Sequence, residues 1–157
     1  MTLDERMDLL AKVDIFQHLK RGDLKTLAKT TKEETYHAGD VLCRQGDRGI
    51  AAFIVAQGRI AVEEELAGGR VLEVAALGPG AVVGELSLID GAERVATIRA
   101  KDEVVSLVLT QWDFNAALKK RPAMAADILP VLVRRFRGLA ADLRAVKSDR
   151  RSDIATP

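Results

Sequence analysis

One cysteine, two histidines and a formal charge of only +1 mark what this 157-residue chain is short of. A single Cys43 forms no internal disulfide and excludes an iron–sulfur cluster held by four cysteines of one chain. In a strand-like segment it reads as core filler. His18 and His37 are too few for a cupin-type metal site, so no metal is expected. The near-neutral charge argues against a nucleic-acid surface, which is usually strongly basic. No run of about 18 apolar residues exists, so no membrane span is expected. Residues 1–14 are charged throughout and lack the apolar run of a signal peptide. These absences point to a cytoplasmic protein. The chain starts at a Met, so any further segment is expected after Pro157. No nucleophile–base constellation appears, and Ser87 has no histidine near it in sequence, so the expectation is a protein that is not an enzyme.

What is present suits one domain with a short appendage. Apolar residues make up 48% and charged residues 30%, an ordinary balance, and the length allows a core without disulfide help. Leu3, Met7, Leu10 and Ala11 share a helical face, and Thr2 with Glu5 fits a capping box. Ile15, Phe16 and Leu19 form an apolar knot with His18 as a structural neighbour. Leu24, Leu27 and Ala28 suggest another short helix. Residues 31–109 then read as short strands. Glycine turns at Gly39, Gly46, Gly58, Gly68-Gly69, Gly78-Pro79-Gly80 and Gly91 recur at roughly ten-residue intervals. Val71 and Glu73 alternate with Leu72 and Val74, which predicts one buried face. The turn between them and the preceding strand, Ala67-Gly68-Gly69-Arg70, reads as a hairpin loop.

The C-terminal part returns to helix. Thr110 caps a helix through Trp112, Phe114 and Leu118, with both aromatics expected in the core. Pro122 suits the first turn of a long second helix. There Ile128, Leu132, Phe136, Leu139, Leu143 and Val146 recur close to a heptad seam, either a dimer interface or a face packed on the same chain. Pro130 predicts a kink or a break. Residues 148–157 read as a polar, frayed tail, leaving 1–147 as the domain. The fold class expected is α+β, mainly β: a jelly-roll-type β-barrel with N-terminal helices and a C-terminal pair of helices, the last one long.

Residues 80–97 carry the chemistry. Gly84 allows close approach of the main chain, and Glu85 to Leu88 fit one helical turn whose first N–H groups favour an anion. Arg94, brought back by Gly91, supplies charge and paired donors to a phosphate. Ser87 adds a hydroxyl or its N–H. Glu85 beside a phosphate makes sense as an acceptor for a sugar hydroxyl or as an arginine partner. Val62, Val74, Leu86 and Val95 are candidate walls for a base. The plain alternative is a surface ion pair between Glu85 and Arg94, worth little. Arg134, Arg135 and Arg137 read as the solvated side of the long helix, and Glu63-Glu64-Glu65 as a solvated strand end.

The run Val83-Gly84-Glu85-Leu86-Ser87-Leu88, followed by Arg94-Val95-Ala96-Thr97, resembles the phosphate-binding cassette of the cyclic-nucleotide-binding domain family. Val83 replaces the usual aromatic. Gly46-Asp47, Gly58 and Gly78-Pro79-Gly80 match in order, and Ile15-Phe16-Gln17-His18-Leu19 resembles the family's N-terminal motif. The resemblance covers roughly residues 3 to 147. It implies that Glu85 binds the ribose 2′-hydroxyl and Arg94 the cyclic phosphate. Gly84, Leu86 and Ser87 would frame the site, with Val95 and Ala96 beside it. Val95 lacks the hydroxyl that goes with cyclic GMP in many members, so cyclic AMP is expected first and cyclic GMP second. Leu139 and Ala140 stand where bacterial activators carry a Thr-Ser pair for adenine, so an apolar lid from Leu139 or Phe136, or a guanidinium from Arg135, would take that role. The base pocket is therefore assigned to Val62, Val74, Arg135 and Leu139. About ten residues after the long helix are too few for a helix-turn-helix, so no DNA binding by this chain is expected. The expected function is a cyclic-AMP-binding regulatory sensor whose long helix moves on binding and is read by an unknown downstream protein or by a second copy. The alternative is a dimerisation or interaction module of the same fold that binds no nucleotide.

Overall fold

The computed structural model describes residues 1–155. Helix α1 (Leu3–Ala11) starts at the predicted capping box: the Glu5 N–H donates to Thr2 Oγ1 at 3.2 Å, and the Thr2 N–H donates to the Glu5 carboxylate at 2.6 Å. Its buried residues, Met7 and Leu10, meet Ile15 and Phe16 from a 3-10 turn (Asp14–Phe16) and Leu27 and Ala28 from α2 (Arg21–Ala28). Phe16 stacks on Phe114 with ring centroids 5.9 Å apart. The apolar knot is thus the centre of a helical layer.

Eight strands follow: β1 (Lys32–Tyr36), β2 (Val41–Cys43), β3 (Ala51–Gln57), β4 (Ile60–Glu65), β5 (Val71–Leu77), β6 (Val82–Val83), β7 (Thr97–Ala100) and β8 (Val104–Thr110). They form two antiparallel four-stranded sheets, ordered β1-β8-β3-β6 and β2-β7-β4-β5. The expected closed jelly-roll-type barrel is not formed, because no ladder joins one sheet to the other among the described residues. Glycine spacing sets where strands end, whereas closure needs hydrogen bonds between the edges. Two of those edges, β2 and β6, are only three and two residues long. The α+β class, the N-terminal helices and the C-terminal pair remain.

The central strands of the first sheet, β3 and β8, are buried on both faces. Ala52, Ile54, Leu107 and Leu109 pack on the helices, while Ala51, Phe53, Val55, Val104 and Val108 face the second sheet. This is why β3 reads as an unbroken apolar run instead of alternating. Strand β5 differs from expectation. It is the outer edge of the second sheet, and Val71, Leu72 and Val74 are all exposed, so neither face is buried. Its hairpin with β4 does turn through residues 66–70, as predicted.

Helix α4 (Gln111–Lys120) begins at Thr110, whose hydroxyl accepts from the Asp113 N–H. Phe114 is buried, but Trp112 is 84% exposed, on the side of α4 away from the core. Helix α5 (Ala123–Ala155) starts just after Pro122 and runs through Pro130 without a break. It continues through the polar tail, where Arg and Ala residues favour helix and no glycine or proline intervenes. Met124, Ile128 and Val131 are buried; Phe136, Leu139, Leu143 and Val146 are at least half exposed. Asp23 of α2, almost fully buried, pairs with Arg121 at the α4–α5 junction and ties the N- and C-terminal helices together. Among the described residues no helix is long and apolar enough to cross a membrane.

Candidate functional site

Gly84 ends β6 with φ +79°, a left-handed conformation open to glycine. A Cβ there would stand 1.9 Å from Arg94 Nη1 and 3.1 Å from the Ala51 carbonyl oxygen. The glycine therefore makes the space that the guanidinium fills. The following helical turn, α3 (Ser87–Asp90), starts two residues later than expected. The Ser87 N–H is already used, donating to the Gly84 carbonyl at 3.2 Å. Gly91 closes the turn in the left-handed region and donates to Ser87 O at 2.9 Å.

Arg94 is clamped at its backbone. Its N–H donates to Asp47 O at 2.7 Å, and its carbonyl accepts from the Gly46 N–H at 2.8 Å. The predicted Gly46-Asp47 turn is thus the mount for the arginine. The side chain is 8% exposed and lies over the Phe53 ring, 5.8 Å from the centroid. Nη2 donates to the Ala51 carbonyl, while Nε and Nη1 are buried without a partner among the described residues. Leaving such donors unpaired is costly, more so on a charged group. Glu85 does not satisfy them. Its carboxylate turns to α5 and accepts from Arg135 Nη1 at 3.2 Å; the same nitrogen lies 3.4 Å from Asp14 Oδ2. The surface ion pair between Glu85 and Arg94 is therefore not formed.

Arg94 opens onto a pocket of about 450 Å³, within the usual range for small-ligand sites. Of the candidate residues, Val62, Gly84, Leu86, Ser87, Arg94, Val95 and Ala96 line it. Val95 is 83% exposed, at the mouth. Glu85 sits next to the lining with its carboxylate on α5. Val74 is exposed on β5, Arg135 holds Glu85 from α5, and Leu139 is exposed further along α5.

Several lining residues lie outside the candidate set that the sequence offers. Cys43, Leu77, Val82, Val83 and Ile98 complete the apolar wall, and Asp90 and Glu93 also line the pocket. Val83, at the place of the family aromatic, and Leu77, ahead of Gly78, were the available signals. Burial pushes the Cys43 thiol above its ordinary pKa, so it is a neutral wall residue near pH 7. Glu63 is not merely solvated; it accepts from Arg99 Nε at 3.0 Å. His18 is exposed with Nε2 2.6 Å from Arg134 Nη2, and His37 is exposed as expected. Among the described residues no group of three His, Cys, Asp or Glu side chains is placed to hold a metal.

The chain is similar to known proteins across this whole region. The family profile described as "Cyclic nucleotide-binding domain" matches residues 33–121. The cyclic AMP receptor protein of Thermus thermophilus is 35% identical over 123 residues, covering 78% of this chain and 57% of that protein. A cyclic nucleotide-gated potassium channel of Mesorhizobium japonicum is 34% identical over 133 residues, covering 85% of this chain and 35% of the channel. The chain thus spans only part of the length of these curated relatives. Neither name is that of an enzyme. Among solved structures, the N-terminal domain of a transcriptional regulator from Streptomyces coelicolor superposes with a TM-score of 0.78 at 32% identity, covering 84% of this chain and 94% of that one. On its profile match, its relatives and its fold, the chain belongs to the cyclic nucleotide-binding domain family.

Proposed function

We propose that this chain is a regulatory sensor that binds a cyclic nucleotide, cyclic AMP in preference to cyclic GMP, and passes the bound state to a partner through α5. The observation that carries the reading is Arg94: a buried guanidinium with Nε and Nη1 unpartnered at the wall of a pocket. A cyclic phosphate supplies the missing acceptors and the opposite charge in one group. Glu85, Gly84, Leu86, Ser87, Val95 and Ala96 complete the proposed ligand set. Val62 and its apolar neighbours face the base, and Val74 and Leu139 enter only if β5 or α5 closes over it. The preference for cyclic AMP follows from Val95, which offers no hydroxyl to a guanine. Binding is the whole of the proposed chemistry, carried out in the cytoplasm, with residues 1–147 as the sensing unit and no DNA contact by this chain.

Calorimetry with cyclic AMP and cyclic GMP tests the reading. The wild type binds cyclic AMP more tightly, and Arg94→Ala loses about 1–3 kcal/mol of binding, the scale of a charged hydrogen bond removed. Absence of heat with both nucleotides would instead support the second reading, an interaction module of the same fold. The exposed apolar seam of α5 favours that reading's partner surface, and a homodimer through it belongs to both proposals.

A further inference from the structure

One nitrogen of Arg135 is shared by two carboxylates, and only one of them belongs to the nucleotide cassette. Nη1 lies 3.2 Å from Glu85 Oε1 and 3.4 Å from Asp14 Oδ2. Asp14 opens the 3-10 turn near the N-terminus. Its other oxygen accepts from Gln17 Nε2 at 3.3 Å, which leaves Oδ2 toward the arginine. Gln17, Asp14, Arg135 and Glu85 therefore form a relay from the N-terminal layer through α5 to the site.

We infer that Asp14 is a positioning residue for ribose recognition, acting through Arg135 on Glu85. The inference rests on the cyclic-nucleotide reading above. Arg135 is a long, partly exposed side chain, and a single ion pair of that kind holds its partners loosely. The second carboxylate restrains the guanidinium from the N-terminal side. Arg135 then engages Glu85 at Oε1, and a carboxylate has two oxygens with several acceptor directions. Oε2 stays available for a sugar hydroxyl. Glu85 is the best shielded of the three side chains, at 18% exposure against 38% for Arg135 and 55% for Asp14. Its orientation is set before a ligand arrives, and preorganisation of that kind adds to affinity.

The test is calorimetry with cyclic AMP and its 2′-deoxy analogue on the wild type, Asp14→Ala, Asp14→Glu, Arg135→Gln and the Asp14→Ala/Arg135→Gln double variant. Asp14→Ala is expected to weaken cyclic AMP by about two- to fivefold, the scale of an exposed ion pair, and to leave the 2′-deoxy analogue unchanged. Asp14→Glu restores the affinity, and Asp14→Ala has no further effect once Arg135 is glutamine. An unchanged affinity for cyclic AMP, or an equal loss for both nucleotides, overturns the role of Asp14. So does a loss that persists without Arg135. Tighter binding of both nucleotides also overturns it, since that is only the field effect of removing one negative charge. If the wild type binds neither cyclic AMP nor cyclic GMP, the nucleotide reading itself is wrong and this inference goes with it.

Discussion

Arg94 costs the ligand-free protein stability. A buried charge whose donors lack partners carries a desolvation penalty that a similar apolar side chain does not. Arg94→Leu is therefore expected to weaken cyclic AMP binding by about 1–3 kcal/mol while leaving the melting temperature unchanged or higher. A strongly destabilised Arg94→Leu would mean that the arginine is mainly structural. Gly84→Ala should differ in its effect on stability. Its Cβ collides with Arg94 Nη1 and demands a left-handed alanine, so both stability and binding fall, stability by at least about 1 kcal/mol. Denaturant titration and calorimetry on the same variant measure the two losses. At this scale the meeting of Gly84 and Arg94 was legible, because a glycine and an arginine differ sharply in chemistry from the apolar residues around them. Cys43 and Ile98 were not, since nothing local marks an apolar strand residue as pocket wall instead of core. Trp112 failed for a related reason: its helix was legible, but the face turned to the core depends on where Phe114 meets Phe16.

Helix α5 changes character along its length. Its first turns are buried against the helical layer, and its later apolar residues stand in solvent. Leu143 lies 58% exposed in the middle of that exposed stretch. Leu143→Lys is expected to leave the fold intact and to shift the protein toward monomer in sedimentation velocity. A wild type that is already monomeric at all concentrations removes the homodimer from the proposal. The seam itself was legible as a periodicity. Its division into a packed half and a free half was not, because both halves carry the same residue types. Strand β5 shows the same limit. Its alternation predicted a buried face, yet its position at the outer edge of a sheet, paired only with β4 among the described residues, leaves both faces open. The difference between two sheets and a closed barrel also lies beyond local patterning, in whether short edges such as β2 and β6 reach one another.

For the molecule as a whole, the layers place the site at the far side of a sheet from the core that stabilises it. The first sheet is the shared wall: its outer face packs the helices, and its inner face carries Ala51 and Phe53, which touch Arg94. A ligand that pairs Arg94 therefore binds the folded state alone. Cyclic AMP at a hundredfold excess over its Kd should add about 2.7 kcal/mol of stability. For a chain of this size that corresponds to a rise in melting temperature of about 5–10 °C. No rise at saturating cyclic AMP would contradict binding to the native state. The order of layers was readable in outline from helices flanking a glycine-punctuated middle. The relay from Asp14 to Glu85 was not, because it joins the first part of the chain to α5 through side chains alone.

The depth of Arg94 also sets how the site responds to ionic strength. Dissolved ions screen charges that face solvent more strongly than one buried against a phenylalanine ring at a pocket wall. Phosphate capture at such a cation is expected to survive high salt with little loss of affinity. The exposed charges that line the pocket, Asp90 and Glu93, repel an anion, so the rate at which one arrives should rise as salt screens them. An anion site built this way should keep its affinity while the ionic composition around it varies.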